Sequence, residues 1–264
     1  MTLATLSPHI ITNLKDSVLE LEISRREKKN ALNGAMYLTL AHHLTEAANN
    51  PAVNVVYIHG QEDLFTSGND LHDFLNRDLT GPSPASVLLK VLTHYKKIIV
   101  AAVGGNAIGI GTTLLLHCDI AIASTQVRFQ MPFVNLGACP EGGSSAILQR
   151  TGGQKLSSEL LMLGDFFSAE KAQRAGIVND IFPPEDLLSQ GMEIAKRLAQ
   201  KPQDALRTTK QLLKQGAQLD MDVVFEREFE QFARLLGTPV SREIVTAFLE
   251  KRAPDTSLFN HVDL

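Results

Sequence analysis

Ile98-Ile99-Val100-Ala101-Ala102-Val103 runs directly into Gly104-Gly105-Asn106-Ala107-Ile108-Gly109-Ile110-Gly111, and the chain stays almost entirely apolar from Ile110 to His117. The first six residues predict a strand, the glycines a tight turn, and the apolar run after them a buried helix. Asp119 to Ser124 then reads as another short strand. Strand, glycine loop, helix and strand in that order argue for an α/β core.

The pattern extends upstream. Leu19, Leu21 and Ile23 alternate with Glu20 and Glu22, which predicts a half-buried strand with one wet face. Asn33 opens a helix whose apolar positions Met36, Leu40, Leu44 and Ala47 return at helical spacing until Asn49-Asn50-Pro51 stops them. Val53 to His59 predicts a second, β-branched strand, and a helix from about Ala85 to Tyr95 leads back to the opening stretch.

Downstream of Gly142 helical patterns dominate. Leu206 to Gln215, Val223 to Leu236 and Ile244 to Lys251 are amphipathic and charged. Pro202 ends one helix and begins the next, so residues 1–201 are expected to form the core and 202–264 a helical C-terminal region suited to oligomerisation.

With 264 residues, 44% hydrophobic and 20% charged, the chain has the composition of one globular core. A net charge of -4 gives no footprint for nucleic acid. Cys118 and Cys139 form no CxxC pair, which favours a reducing compartment, the cytoplasm. No stretch reaches membrane-helix length, and neither terminus carries a recognisable targeting pattern. Eight histidines include no HExxH, so no metal is expected. Fingerprints for dinucleotides, nucleoside triphosphates and the serine nucleophile elbow are also absent.

Three segments carry possible chemistry. Glu141 sits in Cys139-Pro140-Glu141-Gly142-Gly143, where proline and glycines fix the backbone and clear space for a ligand around one carboxylate. Gly109 and Gly111 bracket Ile110 at a helix mouth, where free N–H groups can receive a negative oxygen. Ser67-Gly68-Asn69-Asp70 offers a second backbone N–H, and Asp70 reads as a brace for that loop before it reads as a second acid.

Taken in order, Lys29-Asn30-Ala31-Leu32-Asn33, Phe65-Thr66-Ser67-Gly68-Asn69-Asp70-Leu71, Ala101 to Gly111, His117-Cys118-Asp119, Phe129-Gln130-Met131-Pro132 and Leu136-Gly137 resemble the crotonase family, the enoyl-CoA hydratase/isomerase superfamily. The resemblance covers most of the chain. It implies a spiral of ββα units with a helical C-terminal region, assembled as a homotrimer or a dimer of trimers, and an acyl-CoA thioester as substrate. Coenzyme A is then part of the substrate, and no separate cofactor is implied. The thioester oxygen would be held by the N–H groups of Asn69 and Ile110, while Ala31, Ser67, Gly68, Asp70, Leu71 and Gly109 would line the groove for the rest of the ligand.

Two departures bear on the reaction. Where a hydratase of this family carries two glutamates, the matching positions here are Thr113 and Phe133. Glu141 instead falls where the peroxisomal-type Δ3,Δ2-enoyl-CoA isomerases carry their one catalytic glutamate, in a similar Pro-Glu-Gly setting. The resemblance therefore implies an isomerase in which Glu141 shuttles a proton between C2 and C4, with Phe133, Leu136 and Ala138 lining an acyl pocket. Alternatives within the same reading are a hydratase or another crotonase-family reaction, and a catalytically silent acyl-CoA-binding scaffold.

Overall fold

A computed structural model describes residues 6–75, 83–217 and 219–260. The chain opens with a hairpin of β1 (Ile10–Lys15) and β2 (Val18–Ile23), followed by helix α1 (Gly34–Asn49) and strand β3 (Val55–His59). Helices α2 (Leu71–Leu75) and α3 (Pro84–His94) precede β4 (Ile98–Val103), the short β5 (Ala107–Ile108) and α4 (Ile110–Thr113). Then come β6 (Ile120–Ser124), β7 (Arg128–Gln130), α5 (Ser144–Ser158), β8 (Phe167–Ser168), α6 (Ala169–Arg174), β9 (Asp180–Phe182) and α7 (Pro184–Ala199). Helices α8 (Gln203–Gly216), α9 (Met221–Leu236) and α10 (Pro239–Leu249) complete the described chain with a 3-10 segment, Thr256–Asn260.

Six strands form one sheet in the order β1-β2-β3-β4-β6-β9, antiparallel between β1 and β2 and parallel from β2 onward. Three more form a short second ladder, β5-β7-β8, which isolated bridges extend from Ala107 to Thr66 and, beyond it, from Asn69 to Leu32. Strands β2, β3, β4 and β6 thus each lead into an extended step of the short ladder before the chain turns into a helix. That repeat is the expected spiral of ββα units.

Side-chain alternation along the large sheet builds two cores. Val56, Ile58, Ile99, Ala101 and Val103 face α1, α3 and the short ladder. Val55, Tyr57, Val100, Ala102 and Ile122 face Leu187, Ala195 and Ala199 of α7. A Cβ on Gly191 would lie 2.6 Å from the Tyr57 hydroxyl oxygen, so the glycine lets α7 lie close on the strands.

Local chemistry sets the ends of the elements. The Asn33 side chain accepts from the Met36 N–H at 3.0 Å and starts α1, and Ser83 with Pro84 starts α3 in the same manner. The wet face expected on β2 is partly covered, because Glu20 meets the buried His59 ring at 2.9 Å. The helix expected from Ile110 to His117 is α-helical only to Thr113 and tightens to 3-10 geometry over Leu114–His117, where Cys118 returns to extended backbone. Strand β1 has one buried residue in six, Ile10, and so lacks the alternation that marks a strand in sequence.

Asn30 locks the start of the spiral. It is fully buried in a left-handed conformation, φ 55°. Its Oδ1 accepts from the Arg25 N–H at 2.6 Å, and its Nδ2 reaches the carbonyls of Ile23 and Phe65 and Oε1 of Gln61, each at 2.9 Å. Its own carbonyl accepts from Thr66 Oγ1 at 2.6 Å. Asn30→Ala leaves several buried groups unpaired and should lower the unfolding free energy by about 3 kcal/mol. Urea denaturation measures this, and a loss under about 1 kcal/mol would contradict the role assigned to Asn30.

Candidate active site

Glu141 stands in a turn shaped by three left-handed glycines, Gly137 (φ 66°), Gly142 (φ 68°) and Gly143 (φ 76°). The residue is only 4% exposed. Thr113 Oγ1 donates to its Oε1 at 2.8 Å, and Ser144 Oγ donates to its backbone carbonyl at 2.7 Å. A Cβ on Gly142 would lie 2.8 Å from that Thr113 oxygen, so glycine is what brings the turn against α4. Behind it, His117 Nε2 donates to the Gly142 carbonyl at 2.8 Å while Nδ1 faces the Thr93 hydroxyl at 3.2 Å. Burial lowers the pKa of the His117 ring to about 4, so it is neutral.

The two donor segments follow from the short ladder. Leu32 N–H donates to the Gly68 carbonyl at 2.8 Å, and Asp70 N–H to the Leu32 carbonyl at 2.9 Å. This parallel register occupies the residues on either side of Asn69 and turns the Asn69 N–H the other way. Next to it, Gly109 N–H donates to the Gln130 carbonyl at 2.8 Å, leaving Ile110 as the first residue of α4. Among the described residues, neither the Asn69 nor the Ile110 N–H donates a hydrogen bond. Gly68 holds the segments together, because a Cβ there would sit 2.5 Å from the Ile108 carbonyl oxygen and its φ is +87°.

The other expected groove residues are braced around the first of these segments. Arg25 Nη1 donates to the Ala31 carbonyl at 3.0 Å and pairs with Asp70 at 2.8 Å, and Asp70 also accepts from the His72 N–H at 3.2 Å. Asp70 is thus the loop brace anticipated from its position. Ser67 N–H donates to the Lys29 carbonyl at 3.1 Å, and Leu71 begins α2. Phe133 is 5% exposed and packs edge-on against Phe232 of α9, with ring centroids 6.5 Å apart.

Several residues at the site were not singled out in the sequence. Tyr37, buried on α1, donates to the Asn69 side chain at 2.6 Å. Its phenol pKa is raised well above the ordinary value by burial and then by the charges of Glu141, Asp73 and Asp70, so the phenol that holds Asn69 also lies within electrostatic reach of Glu141. Glu228 of α9 accepts from the N–H groups of Gly143 at 2.6 Å and Ser145 at 3.0 Å. Ser241 of α10 donates to the Leu136 carbonyl at 2.9 Å. Helical spacing marks Tyr37 and Glu228 as part of α1 and α9, but nothing local says what their polar ends will meet. Among the described residues, no group of three or more His, Cys, Asp or Glu is placed to hold a metal ion, and no helix is long and apolar enough to cross a membrane.

The arrangement joins one buried carboxylate to two free backbone donors, which suits proton transfer beside a carbonyl whose oxygen gains charge. Comparison with known proteins shows the family. The family model described as enoyl-CoA hydratase/isomerase matches residues 13–257. The chain is 33% identical over 248 residues to the 2,3-dehydroadipyl-CoA hydratase of Escherichia coli K12, covering 93% of this chain and 97% of that one. It is 32% identical to the 1,2-epoxyphenylacetyl-CoA isomerase of the same organism, covering 93% and 97%. The crystal structure of an enoyl-CoA hydratase/isomerase from Pseudoalteromonas atlantica T6c superposes with a TM-score of 0.88 at 35% identity, covering 94% of this chain and 99% of that one.

A neutral His117 makes stability depend on pH. An unfolded histidine takes up a proton near pH 6.5, whereas the folded ring resists until about pH 4. The unfolded state therefore binds more protons in that window, and stability that is complete above pH 6.5 falls as pH drops, by about 2 kcal/mol at pH 5. Urea unfolding at pH 7.5 and pH 5 should show this slope, and His117→Gln should flatten it. An equal slope in the variant would rule out His117 as its source.

Proposed function

The chain belongs to the enoyl-CoA hydratase/isomerase family, and from that premise we propose that it moves the double bond of a 3-enoyl-CoA to the 2 position. The observation that carries this reading is the Thr113–Glu141 hydrogen bond. Thr113 stands where the resemblance puts the first glutamate of a hydratase, and its hydroxyl donates to Glu141 at 2.8 Å, bracing that carboxylate. At the position of the second stands Phe133, an apolar ring in the core. Neither side chain can take a proton from water, so one carboxylate remains for the chemistry.

One carboxylate is enough for a double-bond shift. With the thioester oxygen on the N–H groups of Asn69 and Ile110, Glu141 takes a proton from C2. The electron pair of that C–H bond spreads into a dienolate, and the same carboxyl returns its proton to C4. No water is consumed and the glutamate ends as it began. The two preplaced donors stabilise the oxyanion by about 3 kcal/mol each relative to an unaided thioester. Ala31, Ser67, Gly68, Asp70, Leu71 and Gly109 would border the coenzyme A portion, on the loop that Arg25 braces.

Hydration of a 2-enoyl-CoA is the second reading, and the names of relatives such as the 2,3-dehydroadipyl-CoA hydratase favour it. It requires Glu141 to activate water without a second carboxylate, since Asp70 is held in its ion pair with Arg25. Assembly as a homotrimer or a dimer of trimers belongs to the same proposal, supported by the exposed Leu212 and Leu213 on α8 and Phe248 on α10.

Parallel spectrophotometric assays with a 3-enoyl-CoA and a 2-enoyl-CoA separate the readings. The 3-enoyl ester should be isomerised without appreciable hydration, and Glu141→Gln should cut turnover about a thousandfold while acyl-CoA binding persists. Hydration alone would overturn the isomerase. Tight binding with silence on both substrates would point to a scaffold.

A further inference from the structure

Helix α5 begins three residues after Glu141, and its N-cap, Gly143, has no side chain to accept from the first turn. That duty falls to Glu228, more than eighty residues later on α9. One of its oxygens accepts from the Gly143 N–H at 2.6 Å, and the other from the N–H of Ser145 at 3.0 Å and from the Ser145 hydroxyl. All three contacts are donors to the carboxylate, and the residue is 6% exposed. Burial raises the Glu228 pKa above the ordinary carboxylate value, while the Ser145 hydroxyl and the amides of Gly143 and Ser145 oppose that shift by favouring the ionised form.

The position has an electrostatic consequence. The N-terminal turn of a helix carries a partial positive charge that stabilises a nearby carboxylate anion and so weakens it as a base. The first segment of α5 runs unbroken to Gly153, where the backbone leaves helical geometry, so Glu141 lies close to such an end. Glu228 adds a full negative charge to the same turn. We infer that Glu228 is a positioning residue that both fastens the Glu141 turn and cancels the positive end of α5, keeping Glu141 a stronger base than the bare turn would make it.

Among the described residues, other titratable groups surround the turn. Tyr37 on α1 is a neutral phenol, and Asp70 beside α2 is paired with Arg25, with Asp73 one turn further. His117 behind α4 is neutral, with Lys210 and Lys214 of α8 beyond it. Within the turn, the Cys139 thiol is pushed up to about 11 by burial and then by Glu228, with smaller influences from Arg234 of α9 and from Glu141. Cys139 therefore lies within reach of both carboxylates.

The inference rests on the reading of Glu141 as the proton-transferring base, so its test is made on Glu141 without turnover. Carboxyl-carbon NMR on protein labelled at glutamate, with the Glu141 signal assigned by its loss in Glu141→Gln, gives the Glu141 midpoint directly. In Glu228→Gln that midpoint should fall by about half a pH unit to one unit. The acidic limb of kcat/KM should move down with it for whichever enoyl-CoA the wild type converts. A midpoint that stays or rises overturns the inference, whatever the reaction proves to be. If Glu228→Gln fails to fold by circular dichroism, Glu228→Asp decides. Keeping the charge but shortening the reach should lower kcat about tenfold at unchanged KM, and an unchanged kcat overturns the positioning role.

Discussion

Hydrogen-bond pairing along the short ladder decides which backbone groups are left for a ligand. Leu32 pairs with Asn69, Thr66 with Ala107 and Ala107 with Phe129, and each pairing uses N–H and C=O groups at fixed places. Shifting the register by one residue would turn the Asn69 N–H back toward Leu32 and present a different amide. The buried Asn30 pins this register from behind by tying Ile23, Arg25 and Phe65 to its side chain and Thr66 to its carbonyl. The donors are therefore set by the architecture: a Cβ on Gly68 would run into the Ile108 carbonyl oxygen, and Gly109 is held at a φ of +57°, which side chains disfavour.

Much of this was legible from the sequence. Strand β4, the glycine turn and the apolar helix after it declare themselves through an unbroken apolar run, and Asn33 and Pro51 bracket α1. The family resemblance picked out the segments of Asn69, Ile110 and Glu141 in advance. The short strands β5, β7 and β8 did not show, since two or three residues cannot display a period. Strand β1 was missed because five of its six residues are exposed, so no alternation records its pairing with β2. Side-chain partners were the least legible. Tyr37 meets Asn69 across 32 residues and Glu228 meets Ser145 across 83, and such contacts exist only once the spiral has closed.

The two parts of the site are held by different means. The donors depend on main-chain ladders between consecutive turns of the spiral, while the Glu141 turn depends on side chains converging from α4, α9 and α10. Thr113 holds the carboxylate, His117 the Gly142 carbonyl, Glu228 the amides of Gly143 and Ser145, and Ser241 the turn's beginning at Leu136. The C-terminal helices thus act as a second wall for Glu141 as well as a cover for the core, with Phe225 edge-on to His117 and Phe232 edge-on to Phe133.

Because the two free donors are amides of the main chain, replacing the side chain of Asn69 or Ile110 does not remove them, unless the new residue is proline. On the proposed function, the hold on an oxyanion is therefore sheltered from mutational drift, whereas residues 113, 133 and 141 can each change in a single step. A lineage built on this frame can exchange one reaction for another without losing its grip on the thioester in between, so new activities need not pass through an inert ancestor.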